Sequence, residues 1–201
     1  MRTCWLALLA LSPVCWGQIN TLEQLETQLA QHPIVRGEFT QQRHLEMFAE
    51  PLSSSGRFTL SKQQGLLWQQ NTPFAVNLVL TQDKLRQTFV DQAPQTISAE
   101  QNPLVFYFSR VFLAVFHGDT QALQTEFELD FSAQDDQWQL VLTPRQAPLN
   151  QVFSTITLSG DQAIDSLVLQ ELRGDQTEIQ FSHQTHQPET LTDAEQAQFS
   201  F

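Results

Sequence analysis

Cysteine is nearly absent from this chain: two in 201 residues, Cys4 and Cys15. Neither a disulfide nor a thiolate metal site can therefore brace anything beyond the first turns of the sequence. Basic residues are almost as scarce. Ten Lys and Arg stand against 22 Asp and Glu, a net charge of −12. That sign excludes a nucleic acid backbone as ligand, which requires a basic stripe, and it disfavours an anionic membrane surface. Only seven glycines occur, and none forms a phosphate-cradling loop. There is no GxSxG elbow, no HExxH and no nucleophile set beside a base, so the pattern describes a non-enzyme without a cofactor. The five histidines are His32, His44, His117, His183 and His186. Only His183-x-x-His186 has metal-ligand spacing; it lacks a third ligand, and no metal is expected. The paired carboxylates Asp135-Asp136 read as a solvated turn tip.

Apolar residues, by contrast, are concentrated. From Leu104 to Phe116, thirteen residues, only Ser109 and Arg110 are not apolar. Asn102 suits an N-cap, Pro103 the first helical position and Gly118 the residue just past a helix end. The run is shorter than the roughly 20 residues that span a bilayer. It predicts one helix, apolar nearly all round, which needs apolar partners on more than one side. Phe108, Phe112 and Val115 share a face with Leu104 and Val111, whereas Phe106 and Leu113 point elsewhere.

The amino terminus has the form of an export signal. Met1-Arg2 is a short positive segment, Cys4 to Leu11 is apolar, and Cys15-Trp16-Gly17 places small residues for cleavage before Gln18. On this reading residues 1–17 are removed and 18–201 form a single periplasmic domain. The absence of any linker or repeat supports one domain.

A short helix opens that domain. Asn20 is read as its cap with Glu23 three residues on, Leu22, Leu25 and Leu29 share a face, and Pro33 ends it. Strands then dominate. Phe39 and Leu45 face inward in 34–48, Phe58 and Leu60 in 55–62, and 65–70 carries Leu67 and Trp68. The clearest alternation sets Phe74, Val76, Leu78 and Leu80 on one face of 74–81. Residues 85–91 and 96–99 are shorter candidates. Phe127, Leu129 and Phe131 alternate with acidic residues, and Trp138, Leu140 and Leu142 form the next inward face. Residues 152–159, 164–172 and 177–182 complete a series of about eleven strands. The fold class is mainly β with helices: a strongly curled antiparallel sheet, or incomplete barrel, lidded by the apolar helix. The tail 185–201 is polar until Phe199 and Phe201 and is expected to fray. Periodicity alone leaves open whether the helix covers a lined pocket or a fully packed core.

The order of short motifs resembles a known family. Phe39-Thr40-Gln41 is followed by Ser55-Gly56, Gly65-Leu66-Leu67-Trp68 and Pro73. Then come Leu142-Thr143-Pro144-Arg145, Phe153, Ile164, Gly174-Asp175 and Phe181. This is similar to the LolA-type periplasmic carriers of outer-membrane lipoproteins, over essentially the whole of 18–201. The resemblance implies an unclosed barrel with a hydrophobic cavity for acyl chains. It implies an acylated lipoprotein or lipid as cargo, taken from an inner-membrane ABC transporter and handed to an outer-membrane receptor. Such a carrier is expected to act as a monomer. The cavity would be lined by Phe39, Phe58, Leu67, Trp68, Phe74, Val76, Leu78 and Leu80. The lid would carry Leu104, Phe106, Phe108, Phe112, Val115 and Phe116. The family's lid-holding arginine lies six residues before the tryptophan; here that position is Lys62, with Arg57 as a substitute, which suggests a divergent paralogue. The alternative from the same resemblance is a lipoprotein- or lipid-sensing regulatory domain.

Overall fold

The computed structural model describes residues 18–101 and 113–201. The export signal and the lid residues Leu104, Phe106, Phe108 and Phe112 lie outside the described residues. Eleven strands form one antiparallel sheet. The first six are β1 (Ile34–His44), β2 (Leu52–Ser61), β3 (Gly65–Thr72), β4 (Val76–Leu80), β5 (Lys84–Phe89) and β6 (Gln95–Ser98). The rest are β7 (Phe127–Gln134), β8 (Gln137–Pro144), β9 (Phe153–Gly160), β10 (Ser166–Glu171) and β11 (Gln176–Thr185). Their order is β6-β5-β4-β3-β2-β1-β11-β10-β9-β8-β7. Two meanders thus meet along a β1–β11 seam, and the sheet is not closed. This is the mainly β, incomplete-barrel architecture expected.

The hairpin chemistry follows from the sequence. Gln134 pairs with Gln137, leaving Asp135 and Asp136 as a two-residue turn with φ of 52° and 66°. Two successive positive φ angles are what a type I′ turn requires, and short acidic side chains tolerate them.

Among the described residues, three helices pack on the core of the sheet's inner face and one on its outer face. They are α1 (Leu22–Ala30), the helical residues 113–117 (α2), α3 (Thr120–Glu126) and α4 (Asp193–Gln198). The cap of α1 is Thr21, not Asn20. Its hydroxyl accepts from the Gln24 backbone N–H at 3.3 Å, while the Gln24 side chain accepts from the Asn20 backbone N–H at 2.7 Å. The reciprocal cap is built one residue later than the sequence suggests, with Gln24 in the role given to Glu23.

α2 ends at Gly118 as expected. The Asp119 N–H reaches the Ala114 carbonyl at 2.9 Å and the Gly118 N–H reaches Val115 at 3.2 Å. That pair of bonds is a Schellman stop, with Gly118 at φ +67°. A Cβ here would also stand 2.9 Å from the Glu26 carbonyl oxygen and 3.1 Å from Leu29 Cβ. The stop therefore sets how closely α1 and α2 approach. Thr120 adds a bond from its hydroxyl to the Glu26 carboxylate at 2.7 Å.

Pairing places Phe39, Phe58, Leu60, Leu66, Trp68, Leu78 and Leu80 on one face with Phe181, Leu167, Leu158, Leu140 and Leu142. This inner face and the helices form one hydrophobic core, with Leu25, Leu113, Val115, Phe116 and Leu123 from the helical side. Trp138, 1% exposed, is anchored by its indole N–H on the Asp161 carbonyl at 2.8 Å.

The tail does not fray. α4 docks on the outer face, where Phe199 joins Leu67 and Val79 in a second cluster flanked by Leu191 and Phe201. Arg36 holds it. Its guanidinium grips Glu195 with two bonds of 2.7 Å and reaches the Pro188 and Thr190 carbonyls at 2.7 and 3.0 Å. Glu195 also completes the capping box of α4 with Thr192. Farther along, Arg86 donates to the Gln198 carbonyl and lies over the Phe201 ring at 4.4 Å. Lys84 donates to the Phe201 carbonyl at 3.1 Å.

Bonding to Arg36 holds the Glu195 carboxyl down at about 2. A carboxylate held below its unfolded value adds stability above the unfolded pKa, and that stability disappears as pH falls through the folded one. Glu195→Gln should destabilise the chain by about 2 kcal/mol at pH 7, the scale of a charge-assisted bidentate pair. Urea denaturation should show the gap closing as pH is taken below 4.5 toward 2. Equal midpoints at pH 7 would mean the clamp contributes nothing. Gly118→Ala should cost about 1–2 kcal/mol through the left-handed backbone and the approach of α1.

Candidate functional site

The inner face carries a connected aromatic set. Phe39 stacks on Trp68 with centroids 3.6 Å apart. Phe58 meets Phe181 edge-on at 5.2 Å, and Phe181 meets Phe116 of α2 edge-on at 5.3 Å. Such contacts add specificity to plain area burial. Packing is uneven along the strands. Leu66, Leu80 and Leu167 are 5%, 5% and 3% exposed, whereas Trp68, Leu78, Val76 and Leu169, nearer the opposite strand ends, are only half-buried. Burial across the concave face is uneven rather than graded: Trp68, Leu78, Val76 and Leu169 are half-buried, while Phe39, Phe127 and Leu142 are sealed.

Six of the eight expected cavity residues share this face: Phe39, Phe58, Trp68, Val76, Leu78 and Leu80. Two do not. Leu67 is paired with Val79 on the outer face, under Phe199. Both faces of β3 are apolar near its start, so alternation cannot say which of two neighbours points in. Phe74 lies before β4, in the β3–β4 connection, and is 67% exposed. Of the described lid residues, Val115 and Phe116 are packed into the core, and so is Leu113, which was expected to point away. On a helix apolar all round, no face is free to turn outward. Phe181, at the centre of the aromatic set, is the last residue of the motif order in the sequence but is not among the expected cavity residues.

Lys62 sits where β2 ends and reaches α1. Its ammonium donates to the Ala30 carbonyl at 2.6 Å, the last residue of the helix. A cation at that end complements both an open carbonyl and the helix dipole. Burial lowers its pKa. Arg57 is no substitute: its side chain is 72% exposed, and it pairs loosely with Glu38 at 4.0 Å. It lies on the outer face because Phe58, its neighbour, points in.

Around Lys62 lie histidines that local sequence does not connect. His32, just after α1, stacks on His186 with centroids 3.5 Å apart and planes 7° apart. His117 ends α2. The His117 Nε2 and His186 Nδ1 atoms are buried without a hydrogen-bond partner among the described residues. His32, His186, Leu29, Val35, Phe116 and Ile164 line a small cleft. His183 turns away from it and pairs with Glu38 at 3.1 Å. The His-x-x-His spacing therefore does not converge, because His183 occupies a β-bulge at φ +50°. Among the described residues no group of three or more His, Cys, Asp or Glu is arranged for a metal.

The profile of the family described as "Outer membrane lipoprotein carrier protein LolA-like" matches residues 18–198. The chain belongs to that family. A search of curated proteins finds no match. Among solved structures, a LolA superfamily protein of Nitrosomonas europaea is similar, at 9% identity and TM-score 0.49, covering 87% of this chain and 96% of its own. A putative outer membrane lipoprotein-sorting protein domain of Vibrio parahaemolyticus aligns at 10% identity and TM-score 0.48, over 89% and 94%. The MucA/MucB complex of Pseudomonas aeruginosa aligns at 15% identity and TM-score 0.51, over 86% of this chain and 58% of that one. Members of the LolA-like family are periplasmic carriers or binding proteins rather than enzymes. Among the described residues no helix is long and apolar enough to cross a membrane.

Burial lowers the pKa of His117, with Lys62 reinforcing and Asp119 opposing. Burial likewise lowers His32, with His186 and Lys62 reinforcing and Glu189 opposing. Both imidazoles take up a proton less readily in the fold than in the unfolded chain, so protonation favours the unfolded chain. Thermal stability should fall as pH drops below about 6.5, the ordinary histidine value. A His32→Gln/His117→Gln variant should lose much of that slope. Parallel slopes in the two proteins would remove these histidines from the account.

Proposed function

We propose that this LolA-like chain is a periplasmic carrier that shelters acyl chains, of lipoproteins or of related lipids, on the concave face of its unclosed sheet. The observation that supports the reading is the half-buried apolar stripe of Trp68, Leu78, Val76 and Leu169 on the inner face of the unclosed sheet. Each CH₂ moved there from water gains roughly 0.8 kcal/mol. A carrier must also release its load, so a partner has to offer nearly equal shelter.

Lys62 acts as the lid latch in this reading, through its bond to the end of α1. Lysine grips one carbonyl where an arginine fork would span several, which gives a lighter hold and easier exchange. Cargo is received from an inner-membrane ABC transporter and delivered to an outer-membrane receptor. The sensing alternative uses the same face but ends in a protein complex instead of cargo transfer.

Native mass spectrometry on residues 18–201 secreted into a bacterial periplasm, with organic extraction, tests the proposal. An acylated species at near one-to-one stoichiometry is expected. Leu78→Asp should lower uptake of a fluorescent fatty-acyl probe by on the order of tenfold or more while the β circular-dichroism signal stays. A bare mass together with no probe uptake by the native chain would overturn the carrier reading.

A further inference from the structure

Among the described residues, the large apolar side chains left exposed are not scattered. They are Met47 (81%), Phe74 (67%), Val90 (59%), Leu172 (57%), Phe48 and Leu52 (both 52%). Met47 and Phe48 belong to the β1–β2 connection and Leu52 opens β2. Phe74 is in the β3–β4 connection, Val90 in β5–β6, and Leu172 in β10–β11. In an antiparallel meander these four connections all fall at one end of the sheet. The seam brings the two meanders together there, since His44 at the end of β1 pairs with Gln176 at the start of β11. The Glu46 backbone N–H donates to Asp175 Oδ1 at 2.9 Å, which ties the Met47–Phe48 loop to the Leu172 turn.

On β3, β4 and β10 the half-buried residues of the inner face lie toward this end. Trp68 lies nearer it than Leu66, Leu78 nearer than Leu80, and Leu169 nearer than Leu167, and in each pair the nearer residue is the less buried. The apolar tips therefore stand just beyond the half-buried residues of β3, β4 and β10. They lie at four separate connections. Isolated apolar tips of this kind seat in a lipid interface one by one, with no need for complementary shape. Charge narrows the choice of lipid. The rim loops carry Glu46, Glu50, Asp91 and Asp175 against Arg173, and Arg43 beside them is 3.7 Å from Glu171. An acidic rim is repelled by anionic headgroups.

We infer that this rim is a membrane-contact surface that seats its apolar tips in lipid of low net charge, such as zwitterionic phosphatidylcholine, next to the half-buried stripe that acyl chains would reach. The passage of acyl chains rests on the carrier reading; the lipid contact does not.

Flotation of residues 18–201 with phosphatidylcholine vesicles tests the contact. The native chain should float with the vesicles. Met47→Ser/Phe48→Ser/Phe74→Ser, three changes at exposed positions, should partition on the order of tenfold more weakly or less. Mixing phosphatidylglycerol into the vesicles should weaken binding at low salt, and added salt should restore it. No flotation of the native chain would overturn the inference and leave the rim to a protein partner. Equal flotation of the triple variant, or a requirement for phosphatidylglycerol, would overturn it as well. Uptake of the fatty-acyl probe from solution separates the two proposals. The triple variant should keep it, and its absence from the native chain with flotation intact would remove the carrier reading alone.

Discussion

Eleven antiparallel strands that curl without closing leave a broad apolar face, and the main hydrophobic core is built on it. Burial returns roughly 25 cal/mol per Å², and the two cysteines, at positions 4 and 15, can brace none of the sheet. The helices answer this demand. α1 and α2 meet over the inner face, held at a fixed approach by the Gly118 stop and the Thr120–Glu26 bond. Their cover is uneven: Phe39, Phe58 and Phe181 form a packed floor, while Trp68, Leu78, Val76 and Leu169 stay half-buried.

The few cations of the chain are placed where oxygen atoms need them. Arg36 satisfies two carbonyls and a carboxylate of the tail, Arg86 and Lys84 take the last carbonyls, and Lys62 takes the end of α1. Each pins a late or terminal segment to the sheet through a contact that hydrophobic packing alone would not orient. Scarcity of positive charge thus accompanies specific use of it, and the acidic remainder is left on the surface, where it keeps copies apart.

Much of the fold was legible in the sequence because its signals are local. The alternation of Trp138, Leu140 and Leu142, the Asp135-Asp136 turn and the Gly118 stop each depend on neighbours a few residues away. The misread positions depend on distant ones. Leu67 points outward beside Val79, where Phe199 covers both, and the tail is held by Arg36 and Arg86 on strands far earlier in the chain. Alternation yields two faces and no labels, so Leu67 joined the wrong set. Phe74 fell outside its strand because the apolar pattern runs on past the point where pairing with β3 ends at Val76. The meeting of His32, His117 and His186 near Lys62 left no mark in sequence at all.

The strand order has a consequence for how this molecule comes into being. The first and last strands lie side by side at the middle of the sheet, and everything else hangs from their pairing in two local meanders. Each meander can form early from short-range contacts, yet neither half gains its neighbour until the final strand exists. A chain emerging from its amino end must keep the exposed edge of β1 unpaired almost to completion, which is when such a sheet is most prone to join another copy. The last twenty-odd residues therefore do more than lengthen the protein: they supply the strand that closes the seam and the helix that covers the back of it.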